Sequence, residues 1–109
     1  MTASATAPEL AVIIPSFRRP DGLRRCLASL DAQTLRPAEI VVGVREGDAP
    51  TLAVITACAA RGLPVRGVTT RTPGVIAAMT AALSGVGSAC TITALLDDDA
   101  TAWPDYCAR

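Results

Sequence analysis

Four short apolar runs, each separated from the next by a stretch with helical spacing, constrain this chain more than any other feature. "LAVIIPS" (10–16), "EIVVGV" (39–44), a segment within "LPVRGVTT" (63–70) and "ACTITALL" (89–96) are apolar with little alternation. Such runs suit strands covered on both faces, as in parallel sheets, rather than strands with one wet face. In "RPDGLRRCLASLDAQ" (19–33), Leu23, Leu27 and Leu30 fall on one helical face and Arg24 and Arg25 on the other, with Asp21 as the expected N-cap. "APTLAVITACAARG" (49–62) reads as a second helix ended by Gly62, and "PGVIAAMTAALSGVG" (73–87) as a third ended by Gly85 or Gly87. The order β-α-β-α-β-α-β predicts an α/β fold, an open and mostly parallel sheet with helices on both faces. Right-handed crossovers then bring every strand C-terminus to one edge, and ligands of such sheets bind in the crevice outside that edge.

The residues expected at that edge carry most of the polarity. Pro15, Ser16, Phe17 and Arg18 follow the first strand, and Arg45, Glu46, Gly47 and Asp48 the second. Thr70, Arg71, Thr72, Pro73 and Gly74 follow the third, and Asp97, Asp98 and Asp99 the fourth. Adjacent carboxylates repel unless a cation or hydrogen-bond donors neutralise them. Asp97 and Asp99 project the same way from an extended backbone, which suits Mg²⁺ or Mn²⁺ together with a substrate phosphate. The alternative is a solvated acidic turn. Arg18, Arg45 and Arg71 are either phosphate contacts or ordinary surface arginines. Glu46 and Asp48 belong to a pocket or to a solvated turn, Gly74 to a turn or a phosphate contact, and Trp103 and Tyr106 to packing or a lid.

Composition removes several function classes. With 109 residues, 50% hydrophobic and 18% charged, the chain supports one small folded domain. Net charge is zero without a basic patch, which argues against nucleic acid as a partner. All ten basic residues are Arg, which reads as coding bias of a GC-rich bacterial genome. There is no His, so neither a Ser-His-Asp nor a Cys-His unit exists. Cys26, Cys58, Cys90 and Cys107 include no C-x-x-C pair and read as small buried hydrophobes in a reducing compartment. "MTASATAPEL" has no basic leader pattern, and no run reaches membrane-spanning length. The expected location is cytoplasmic, with the inner face of the membrane as its variant.

Three segments resemble family 2 glycosyltransferases of the GT-A fold. "VIIPSFRRPDGLRRCLASLDAQTLRPAEIVVGV" is similar to that family's opening strand, helix and second strand. "TPGVIAAMTAALSGV" is similar to its P-G-x-x-A-A-R-N-x-G-L helix, and "LLDDDATAWPDY" to the segment carrying the D-x-D signature. The resemblance spans residues 10 to 106.

It implies a nucleotide-diphosphate-sugar donor, a saccharide or lipid-linked acceptor, a divalent metal (Mg or Mn) and inversion at the sugar. Asp99 would bind the metal, and Asp97 the ribose or metal-bound water. Pro15, Ser16 and Arg18 would lie beside the base and ribose, Asp48 would complete the base pocket, and Arg71 and Asp98 would join the nucleotide site. Two positions depart from the pattern: Gly43 stands where an Asp is usual after the second strand, and Met79 and Thr80 replace the usual Arg-Asn. The expected division is a flexible N-terminus at 1–9 and the donor-binding part of a truncated GT-A domain at 10–109, with the catalytic base beyond Arg109. The alternative reading is a non-catalytic nucleotide- or metal-binding module. A phospho-acceptor receiver would need an acidic pair after the first strand, and a sugar nucleotidyltransferase a Gly-rich loop there. "PSFRR" supplies neither.

Overall fold

The computed structural model describes residues 5–32, 35–72, 74–87 and 92–95. Its elements are β1 (Ala5–Ser16), α1 (Pro20–Asp31), β2 (Leu35–Arg45), α2 (Ala49–Ala60), β3 (Val65–Thr70), α3 (Val75–Ser84) and β4 (Ile92–Leu95). The four strands form one parallel sheet in the order β3-β2-β1-β4. The fold is therefore the expected α/β, Rossmann-like arrangement. Its strand order adds a detail: the chain steps outward from β1 to β2 to β3, then returns to the far side of β1. The point of reversal lies between β1 and β4, where Ile13 pairs with Leu95.

Alternation along the strands divides the core in two. Leu10, Val12, Ile14, Ile40, Val42, Val44 and Val65 pack with Leu23, Cys26, Leu27 and Leu30 of α1 and with Val54, Ile55 and Cys58 of α2. On the other face Ile13 and Val41 meet Ala82 of α3, with Val68 and Val86 alongside. Helices thus cover both faces. Cys26 and Cys58 are buried, as small hydrophobes are, and form no disulfide.

The second core is thin because α3 lies very close to the sheet. Its inward residues, Ala78 and Ala82, are small and buried. The sheet answers with Gly43, where an added Cβ would sit 1.9 Å from the Ala78 carbonyl oxygen. Gly43 lies inside β2, paired with Pro15 and Val68, and the strand continues to Arg45. Gly43 thus lies inside the strand, as the run 39–44 was read, whereas Arg45, expected after the strand, is its last residue. The first residues off that strand are Glu46 and Gly47.

Two other boundaries differ from expectation. α1 begins at Pro20 with Arg19 as its N-cap residue, so Asp21 is not the cap. Proline suits the first helical position, where its missing N–H goes unneeded, and the Arg19 carbonyl accepts from the Leu23 N–H at 2.9 Å. Asp21 instead pairs with Arg24 at 2.6 Å on the exposed face. β1 reaches back to Ala5, into the stretch read as a flexible N-terminus, because Ala5–Ala7 pair with Leu35–Pro37. A register shift between Ala7 and Ala11 separates that pairing from the main ladder.

At the N-terminal edge of the sheet, the Glu39 carboxylate accepts from Arg66 at 2.6 Å and from the Gly87 N–H at 3.1 Å. Arg66 also donates to the Gly85 carbonyl. Because the Arg66 side chain is 47% exposed, Arg66→Ala is expected to cost less than about 1 kcal/mol in a denaturant melt.

Candidate functional site

The C-terminal edge of the sheet gathers the loops expected to bind ligand. β1 ends on Pro15 and Ser16, both buried strand residues rather than loop residues. Phe17 and Arg18 then emerge, and Phe17 stays 48% exposed. Arg18 has φ +51, a left-handed conformation that a bulky side chain adopts only when its surroundings impose it.

Asp48 imposes it. The Arg18 N–H donates to Asp48 Oδ2 at 2.7 Å, and the Thr51 hydroxyl donates to the same oxygen at 2.7 Å. Asp48 is only 5% exposed, so it is neither a solvated turn residue nor an open contact of the pocket. It stands at the N-cap of α2, following Gly47 at φ +91, and its own N–H donates to the Arg45 carbonyl at 3.1 Å. Burial pushes its carboxyl up. The Arg18 N–H, the Thr51 hydroxyl and N–H, and the Arg18 charge together outweigh burial and leave the group below its ordinary value of 3.8. Asp48 thus ties the exit of β1 to the exit of β2.

The exposed rim is cationic and aromatic. The Arg18 and Arg45 guanidinium carbons lie 5.2 and 5.7 Å from the centre of the Phe17 ring. Arg71, after β3, pairs with Glu46 at 3.1 Å, and both are exposed. The Glu46 N–H donates to the Thr70 carbonyl at 2.8 Å, which aligns the second and third loops. Gly74, at φ +110, is the N-cap residue of α3. With two guanidiniums over the Phe17 ring, this edge groups charge-assisted donors, which suit a ligand bearing phosphate.

Sequence placed Phe17 at this edge but gave it no role there. The signal existed: it is the sole Phe of the chain, set directly off a buried strand and before two arginines. Asp97, Asp98 and Asp99 lie outside the described residues, as do Trp103, Tyr106, Cys90 and Cys107. Among the described residues no three His, Cys, Asp or Glu side chains converge as a metal site. In sequence the acidic triplet follows β4, whose Leu95 pairs with Ile13 beside the β1 exit. Among the described residues no helix is long and apolar enough to cross a membrane.

The strand order and the loops at its point of reversal define a Rossmann-like α/β protein of the kind that binds ligands at strand C-termini. Residues 11–109 match the model of glycosyl transferase family 2, nearly the whole chain. The chain belongs to that family. A search of curated proteins returned no match.

Proposed function

We propose that this chain is the donor-binding half of a glycosyltransferase that moves a sugar from a nucleotide diphosphate to an acceptor hydroxyl with inversion. The family match over residues 11–109 carries this reading. The grouping of Phe17, Arg18, Arg45 and Arg71 on one sheet edge supports it. In this reading the base and ribose lie against the exit of β1, at Ser16, Phe17 and Arg18. Pro15 and Asp48 shape that exit from beneath, and Arg71 faces phosphate. Asp97 and Asp98 contribute to the nucleotide site, and Asp99 with Asp97 is assigned to a Mg²⁺ or Mn²⁺ ion. A cation held there neutralises the diphosphate as it leaves. Inversion requires a base that takes the proton from the acceptor hydroxyl. No described residue is assigned that role.

Titration of the full chain with nucleoside diphosphates, with and without Mn²⁺, tests the proposal. Binding is expected to strengthen with metal, and Asp99→Ala is expected to remove the metal effect. Binding indifferent both to Mn²⁺ and to Asp99→Ala would overturn the metal assignment. Absence of nucleotide binding under all conditions would overturn the donor reading.

A further inference from the structure

Helix α3 is apolar on both its inner and its outer side. Its sequence, VIAAMTAALS, holds no charged residue. Ala78 and Ala82 turn to the sheet and are buried. Three large apolar side chains stay exposed among the described residues, and two of them stand on this helix: Ile76 is 79% and Leu83 54% exposed. The hydroxyls of the helix do not make its outer side polar. Thr80 donates to the Ile76 carbonyl at 2.8 Å, and Ser84 to the Ala81 carbonyl at 2.7 Å. A helix of this kind is normally covered on its outer side as well.

Topology identifies what reaches that side. On the way out from β1 to β3, α1 and α2 lie on one face of the sheet; on the way back to β4, α3 lies on the other. With right-handed crossovers, a chain that continues outward from β4 passes over the α3 face. α3 runs opposite to the strands. Its own right-handed turn then puts Ile76, Met79 and Leu83 on the flank toward β4 and solvent, and Ala77 and Ala81 on the flank toward β3. The apolar flank is therefore the one that the residues after β4 meet first. Trp103 follows Leu95 by eight residues and Tyr106 by eleven, and besides Phe17 they are the only aromatic residues of the chain. Eight residues span at most about 26–29 Å, ample to step from a strand end onto the neighbouring helix. A large ring suits such a flank because it takes much apolar surface out of water.

We propose that the segment following β4 docks on the outer flank of α3, with Trp103 seated on Ile76, Met79 and Leu83. This makes Trp103 a packing residue and gives it a positioning role. Leu95 is held by its pairing with Ile13. Docked Trp103 holds the other end of the loop that carries Asp97, Asp98 and Asp99, so the triplet is fixed from both sides. The positioning role rests on the preceding reading of a metal at Asp97 and Asp99; the docking does not.

Trp103 is the sole Trp, so its fluorescence in the full chain tests the docking directly. Its emission is expected to be blue-shifted relative to the denatured chain. In Ile76→Asp and in Leu83→Asp it is expected to move to the denatured wavelength, with a far-UV spectrum matching the parent. The milder Leu83→Ser reads the same contact if an Asp variant loses its helical signal. Parent emission already at the denatured wavelength overturns the docking. So does a blue shift that these variants leave unchanged, which would bury Trp103 elsewhere. A blue shift lost on dilution, together with a dimer on size exclusion, would seat a second copy on α3 and overturn the intrachain contact. In the folded variants, strengthening of nucleotide binding by Mn²⁺ is expected to be lost. Its persistence while Trp103 moves into water overturns the positioning role. Its absence from the parent overturns the metal reading and leaves the docking to the fluorescence.

Discussion

Gly43→Ala is expected to destabilise the protein by at least about 3 kcal/mol, at or beyond the upper end of ordinary overpacking. The added Cβ would fall 1.9 Å from the Ala78 carbonyl oxygen and 2.7 Å from its carbon. Both atoms are backbone, so no side-chain rotation relieves the contact. α3 must lift from the sheet, opening the thin core formed by Ile13, Val41 and Ala82. For a domain of this size the loss corresponds to a fall in melting temperature of about 12 °C or more. The control is Gly43→Ala combined with Ala78→Gly. Because the clash is with main chain, the double variant is expected to melt no higher than Gly43→Ala alone. Recovery of the parent melting temperature by Ala78→Gly would show that α3 does not approach β2 by its backbone. Gly43→Asp adds a buried charge to the same clash and is expected not to fold.

The second large effect is expected at Asp48. Asp48→Ala strands the Arg18 N–H and the Thr51 hydroxyl and removes the restraint that holds Arg18 at φ +51. A stability loss of about 2–3 kcal/mol is expected at neutral pH, since buried donors lose their partner. Weaker nucleotide binding should accompany it, because the Phe17–Arg18 turn loses its support. The pH dependence has a definite sign. The folded carboxyl titrates below its ordinary value of 3.8, so ionised Asp48 contributes its stability fully above that value. The contribution is lost as pH falls below 3.8 through the folded pKa. Asp48→Asn keeps a carbonyl acceptor but does not titrate. The stability gap between parent and Asp48→Asn is therefore expected to be constant at neutral pH and to narrow on acidification. A gap that widens toward low pH would contradict the lowered pKa.

The central stretches of β1 and β2 were legible because burial leaves no polar side chain in residues 10–14 or 40–44. "LAVIIPS" and "EIVVGV" announce themselves without any partner in view. The first residues of β1 did not. "ATAPEL" carries a proline and small residues, and its pairing with Leu35–Pro37 is a backbone interaction that side-chain pattern does not encode. The exits of the first three strands were located to within two residues, since their position follows from topology, and the fourth lies outside the described residues. Their internal division of labour was not legible. Whether Asp48 is solvated or buried depends on the Arg18 N–H, 30 residues away in sequence, and a main-chain donor leaves no mark in the pattern. Gly43 looked like a missing carboxylate, and its reason is a helix backbone 35 positions further along the chain. The acidic triplet was the clearest chemical signal in the sequence, and it lies outside the described residues.

The reversal of strand order between β1 and β4 has a consequence for assembly. The two sides of the proposed site follow β1 and β4, which are far apart in sequence and neighbours in the sheet. β1, β2 and β3 follow one another outward, each through one helix, whereas β4 returns across the sheet to the far side of β1. Among the described residues its ladder runs from Leu10–Ile92 to Ile13–Leu95 and is the shortest of the sheet. A ligand bridging the β1 exit and the residues that follow β4 would act as a splint for that final pairing. By mass action such a ligand stabilises the closed sheet in proportion to its occupancy. On the proposed reading, substrate availability and completion of the fold would be linked in one equilibrium.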